Sequence, residues 1–172
     1  MRKFFTILVL LLAFQGCGDS YQLFSTKYRV RFSFSTNIPP YNQVQSLGLF
    51  VSMRRSGQNI IATTADGREY TIPMNESEAR SFLMGLGGVL VGTPALNNDK
   101  GSVWAFDLAC PVCDQAKHRL TFNALGVAHC AGCNTSFDLN NSGFVISSDA
   151  KETRPLYRYP VTISGNTITV AN

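Results

Sequence analysis

Two short cysteine pairs, Cys110-Pro111-Val112-Cys113 and Cys130-Ala131-Gly132-Cys133, stand sixteen residues apart and restrict the folds open to this chain more than any other feature. Each pair sets two thiols on one tight turn. The stretch between the pairs is long enough for a strand, a turn and a strand to carry the second turn back opposite the first. Four sulfurs then face one point, which is the arrangement of a bound metal centre. The pattern is specific because four positions must agree, whereas a single Cys-x-x-Cys also occurs in redox sites and ordinary cores.

The N-terminus bears on which compartment those thiols meet. Met1-Arg2-Lys3 is followed by an apolar run from Phe4 to Phe14, and the run ends at Gln15-Gly16-Cys17. A short basic start before such a run reads as an export signal. The run of eleven residues falls short of the roughly twenty that cross a bilayer, so no permanent transmembrane helix is expected. Gly16-Cys17 resembles the lipobox of bacterial lipoproteins, with Phe14 and Gln15 departing from its tightest pattern. The resemblance implies removal of residues 1–16, lipid on Cys17, and a domain anchored to a membrane on the periplasmic or outer cell surface. Residues 17–27 would be a polar tether. Setting Cys17 aside leaves four cysteines, all within the two pairs. In an oxidising compartment an even set of cysteines is also what a disulfide framework looks like, and that alternative stands beside the metal.

Charge excludes one class of partner. Without Arg2 and Lys3, thirteen basic residues face eleven acidic ones, a net +2, and no basic run interleaved with aromatics exists, so nucleic acid is not an expected ligand. The remaining chain of about 155 residues suits one core and one domain, 28–172.

Along that domain the pattern is one of short strands. Tyr28, Val30, Phe32 and Phe34 alternate with Arg29, Arg31, Ser33 and Ser35, a half-buried strand with a core face. A second strand is expected over Leu47 to Met53, with Arg54-Arg55 in a solvated turn. Runs from Ile60 to Thr64 and Arg68 to Ile72 flank Asp66-Gly67, the residues of a tight hairpin. Asn75 with Glu78 forms a capping box that starts a short helix carrying Ala79, Phe82 and Leu83, ended by Gly85, Gly87 and Gly88. Further strands are expected at Val89 to Val91, Val103 to Ala109, His118 to Phe122, Gly126 to His129, Phe137 to Leu139, Phe144 to Ile146, Tyr157 to Ile163 and Thr167 to Val170. A polar stretch, Pro94 to Gly101, reads as a loop. Trp104 reads as core. The expected class is all-β, a mostly antiparallel sandwich or barrel with one short helix.

From Val89 to Val170 the chain resembles the Rieske iron-sulfur fold. The residues that carry this are Val103-Trp104-Ala105-Phe106-Asp107 before the first pair, Cys130 to Cys133 followed by Ser136-Phe137-Asp138, Arg154-Pro155-Leu156 through Tyr159-Pro160-Val161, and Gly165-Asn166 to Val170. The resemblance implies a base of residues 28–106 and 141–172 and a two-loop metal subdomain of about 107–140. In that family one loop carries Cys-x-His and the other Cys-x-x-His. Cys110 and Cys130 fall on the family's cysteines and Cys133 on its second histidine, while Cys113 lies one residue beyond the first histidine position, held here by Val112. His118 and His129 stand at no ligand position and read as solvent-facing strand residues.

Replacing both histidines changes the chemistry, because two neutral imidazoles on one iron are what raise a Rieske potential. Cys110, Cys113, Cys130 and Cys133 suit a tetrahedral zinc ion, or a low-potential 2Fe-2S cluster of the four-cysteine kind. Two knuckle turns fit one ion, and a signal with no twin arginine implies export of an unfolded chain, so zinc is preferred. As a zinc module the protein would use the ion as a staple beside an unknown partner; as a cluster protein it would pass single electrons to a redox partner. An enzyme is the least supported class: no Ser-His-Asp set, phosphate loop or metalloprotease motif is present, and zinc with four thiolates keeps no water to activate.

Overall fold

The computed structural model describes residues 24–96 and 102–172. The expected signal, Cys17 and the tether as far as residue 23 lie outside the described residues, as do residues 97–101 of the segment read as a loop. Among the described residues no helix is long and apolar enough to cross a membrane.

The described residues form an all-β, antiparallel fold, built as three sheets with one short α-helix. Fourteen strands follow in chain order: β1 Val30–Ser35, β2 Phe50–Ser56, β3 Asn59–Thr64, β4 Glu69–Pro73, β5 Leu83–Met84, β6 Val89–Gly92, β7 Trp104–Asp107, β8 Thr121–Phe122, β9 Val127–Cys130, β10 Thr135–Asp138, β11 Phe144–Ser147, β12 Arg158–Tyr159, β13 Val161–Ser164 and β14 Thr167–Ala171. A six-stranded sheet runs β12-β7-β6-β2-β3-β4, an outer sheet runs β13-β14-β1-β5, and a third, the metal sheet, runs β11-β10-β9-β8. A 3-10 turn, Tyr41–Gln45, follows β1.

The six-stranded sheet is the middle layer, and its sequence shows why. Val51 and Met53 of β2, Val89 and Val91 of β6 and Ala105 of β7 enter one buried cluster with Phe32, Phe34, Ile168 and Val170 of the outer sheet. Phe50, Leu90 and Phe106 point the other way, into a cluster with Leu120, Ala128, Phe137 and both Cys110 and Cys130. A strand buried on both faces is apolar at successive positions instead of alternate ones, which is the character of Val89-Leu90-Val91. In β1 only one face is buried. Val30, Phe32 and Phe34 are all at 6% exposure or less, and Phe32 stands opposite Val170 of β14.

Local signals acted as expected in several places. Gly67, with φ +82°, turns β3 into β4. The helix α1, Glu76–Ser81, is started by Asn75, whose side chain accepts from Glu78 N at 2.9 Å while the Glu78 carboxylate accepts from Asn75 N at 2.9 Å. The helix stops before the glycines, however. Phe82 already has extended backbone and turns its ring edge-on to Phe32, centroids 5.0 Å apart, because burying that ring outweighs one further helical turn. Leu83 then starts β5 and is exposed.

Three more expectations are corrected. Arg54 and Arg55 belong to β2, paired with Ile61 and Ile60, because the β2–β3 turn comes later, at Gly57. The strand read from Tyr157 to Ile163 is two strands separated at Pro160, which has no N–H for a ladder; β12 pairs with β7 and β13 with β14, so the chain changes sheets there. Trp104 is half-buried at the margin of the core, where the Arg158 guanidinium lies 4.5 Å from its ring centroid. In the third sheet β11 pairs with β10 and carries the sheet to Ser147.

Candidate metal centre

Each cysteine pair sits on a turn held from both sides. The first follows β7, and the incoming and outgoing chains are laced together: Leu120 N donates to Leu108 O at 2.8 Å and Cys110 N to His118 O at 2.9 Å. The second connects β9 to β10, with Cys130 facing Thr135 across the hairpin. Both turns end alike. Asp114 and Asn134, the residues after the second cysteine of each pair, have φ of +54° and +50°. Asp and Asn adopt that left-handed geometry more readily than other side-chain-bearing residues.

The result is a tetrad. The four sulfurs of Cys110, Cys113, Cys130 and Cys133 all lie within 4.8 Å of one another, with Cys110 Sγ 3.6 Å from Cys133 Sγ and Cys113 Sγ 3.7 Å from Cys130 Sγ. Cys110 and Cys130 are buried; Cys113 and Cys133 are half-buried. A disulfide would bring two sulfurs to about 2.05 Å, so in this structure the four are separate thiols. Their number, nearness and donor type mean that they could bind a metal ion.

Electrostatics within the tetrad are uneven. Burial pushes the Cys110 thiol above its ordinary pKa, against hydrogen bonds from the backbone amides of Cys113 and Val112, and the thiols of Cys130 and Cys133 add to the rise. Cys113 is pushed up to about 12, by burial first and then by contact with Cys133 and Cys130. Cys133 moves the other way. Burial opposes its ionisation, but the hydroxyl of Thr135 and the three neighbouring thiols together outweigh burial and lower its pKa. Cys133 is thus a sulfur whose surroundings favour the thiolate.

Residues around the tetrad fix the turns. Thr135 Oγ1 is fully buried, 3.2 Å from Cys133 Sγ and 2.6 Å from Ser148 Oγ, so Ser148 orients the hydroxyl that faces the sulfur. Asp114 accepts from Tyr28 at 2.8 Å, from Tyr157 at 3.0 Å and from Lys27. Lys27 holds its carboxyl below the usual range. These bonds tie the first turn to the start of the domain and to its closing segment. Further back, the buried Asp107 carboxylate accepts from Leu86 N at 2.6 Å, Gly87 N at 3.0 Å, Ala109 N at 2.7 Å and the Tyr159 hydroxyl at 2.7 Å. Burial nonetheless raises the pKa of Asp107. Gly85 and Gly87 are thus parts of this anchor: a Cβ on Gly87 would lie 2.6 Å from Ala109 N.

Of the expected site residues, the four paired cysteines come together and Cys17 lies outside the described residues. Neither histidine is an ordinary solvent-facing strand residue. His129 is half-buried with Nδ1 3.1 Å from Ser136 Oγ. The His118 ring covers the second turn so closely that a Cβ at Gly132 would stand 2.1 Å from its Nδ1, which accounts for glycine in Cys130-Ala131-Gly132-Cys133. Sequence reasoning also passed over Thr135, Asp107 and Asp114. Only Asp114 left a trace, in the Asp/Asn that follows each pair. No family model matches this chain, and no curated protein matches it in sequence.

Proposed function

We infer that this protein is an exported, lipid-anchored domain on a Rieske-like scaffold, in which Cys110, Cys113, Cys130 and Cys133 hold one zinc ion that staples the two turns together. The observation that carries the reading is the spread of the sulfurs. With zinc–sulfur bonds of about 2.3 Å, the edge of a ZnS4 tetrahedron is about 3.8 Å. The two cross-turn distances, 3.6 and 3.7 Å, match that edge, and no pair exceeds 4.8 Å. A 2Fe-2S cluster divides its four thiolates between two irons, and the iron–sulfide core spreads ligands of different irons to roughly 5 Å or more. The tetrad is narrower than that, which favours a single ion over the one-electron carrier.

Bound zinc would supply a closed four-thiolate site with no open position for water, hence structure and not hydrolysis. The surroundings of Cys133 favour its thiolate, the form that binds a cation. The Cys133 thiol donates to Thr135 Oγ1; once that proton leaves on zinc binding, the same hydroxyl, held by Ser148, would be placed to donate to the sulfur, the outer-layer support that such ligands need. Elemental analysis and a visible spectrum of protein purified without added metal test the reading. One zinc per chain and no colour is the expected result. Two irons with acid-labile sulfide would replace the staple by the electron carrier, and a metal-free protein without titratable thiols would end both. For the anchor, Cys17→Ser should move the protein from the membrane to the soluble fraction, and persistence at the membrane contradicts lipidation.

A further inference from the structure

We propose that the cleft between the middle sheet and the metal sheet binds a small organic oxyanion, a carboxylate or phosphate ester with an apolar body, through Arg54 and Arg119. The metal sheet covers one face of the middle sheet only over Phe50, Leu90 and Phe106. Past Phe50 the same face of β2 continues as Ser52 and Arg54, and there a cavity of about 300 Å³ opens. That volume is at the lower end of the range for small-molecule sites, which favour such boundaries between packed units.

The two walls carry matching chemistry. Arg54 and Thr63 come from β2 and β3, whereas Arg119 and Thr121 come from the chain returning from the first cysteine turn. Between them lie Leu120 and Phe122, an apolar surface for the body of a ligand. None of the residues lining the cavity is acidic. Arg119 Nε donates to Gly87 O at 2.8 Å, which fixes the plane of its guanidinium; its side chain makes no other hydrogen bond among the described residues. Arg54 has one ionic neighbour among them, Glu69, whose Oε1 stands 3.5 Å from the guanidinium and also accepts from Thr63 Oγ1 at 3.5 Å; between partly exposed groups that contact holds Arg54 weakly. The hydroxyls of Thr63, Thr64 and Thr121 already donate to Glu69, Asp66 and the His129 carbonyl, so the donor set for the oxygens of a carboxylate or phosphate is the two guanidinium groups, to which such oxygens bind through paired N–H groups. None of the four paired cysteines lines the cleft.

Nuclear magnetic resonance titration of the full metal-loaded domain, with phenyl phosphate in one series and benzoate in another, tests this. A saturable shift confined to the amides of Thr63, Thr121 and Phe122 and their neighbours is expected, and the tighter of the two probes identifies the headgroup. Arg54→Gln and Arg119→Gln should each weaken binding about tenfold or more, as loss of a charged hydrogen bond implies. Arg68→Gln, whose arginine pairs with Asp66 outside the cleft, should leave it within about twofold. Because Arg119→Gln also releases the Gly87 carbonyl, folded Arg54→Gln protein is the deciding variant. Unchanged affinity in that variant, equal weakening by Arg68→Gln, or no saturable shift with either probe up to about 20 mM overturns the proposal.

Discussion

Replacing Asp107 tests how the scaffold holds the first cysteine turn. The carboxylate is fully buried, and its oxygens divide their work. Oδ1 accepts from Gly87 N and Ala109 N; Oδ2 accepts from Leu86 N and the Tyr159 hydroxyl. Asp107→Ala leaves three backbone donors and one hydroxyl without a partner, each costing about 1–3 kcal/mol when buried. Removing a buried charge and admitting water recover part of that sum, so a net loss of about 3–5 kcal/mol is expected. Asp107→Asn is milder and more informative. Its carbonyl can take the Oδ1 position and keep both bonds there, and Tyr159 can rotate its hydroxyl to accept from the new amide. Leu86 N cannot adapt and meets another N–H head-on. That single conflict sets a loss of about 1–3 kcal/mol. Urea denaturation at fixed metal concentration measures both variants, provided that the slope stays constant. An alanine variant within about 1 kcal/mol of the parent, or an asparagine variant less stable than alanine, would refute the reasoning.

Further outcomes follow from the tetrad and its surroundings. Thr135→Val removes the hydroxyl that faces Cys133 while conserving volume, and chelator competition should show zinc affinity lowered about 10–100-fold; a change below about threefold contradicts that role. Because Cys110 and Cys113 have raised pKa values, both are thiols at neutral pH without metal and must release their protons on binding. Zinc affinity should therefore fall by at least about a hundredfold for each unit that pH drops below 7; a slope of one proton or fewer, measured by competition across pH, counts against it. Gly132→Ala should destabilise the protein by about 1–3 kcal/mol by displacing His118, and His118→Ala in the same chain should restore much of that loss. Additive effects in the double-mutant cycle would show that the ring is not what requires the glycine.

What the sequence revealed and what it concealed divides along physical lines. The cysteine spacing led directly to the tetrad because covalent reach and turn geometry leave thiols so placed few other arrangements. The Asn75/Glu78 box and the Asp66-Gly67 turn were legible for the same reason, their partners being three or four residues apart. Interactions across tens of residues were not. Nothing near Asp107 tells that its carboxylate will meet Leu86 and Tyr159, and nothing near His118 tells that it will lie over Gly132. The middle sheet was half-legible: Val89-Leu90-Val91 has the continuous apolarity of a strand covered on both faces, yet a single run does not say which sheets cover it. Phe82 was assigned to the helix by its spacing, and the packing of its ring on Phe32 took it out.

X-ray absorption at the zinc edge of protein purified without added metal tests the central claim most directly. The account predicts one zinc per chain with four sulfur neighbours at about 2.3 Å and no nitrogen, oxygen or second metal close by. A nitrogen or oxygen ligand in place of a sulfur, or an iron centre with a neighbouring iron, would contradict it.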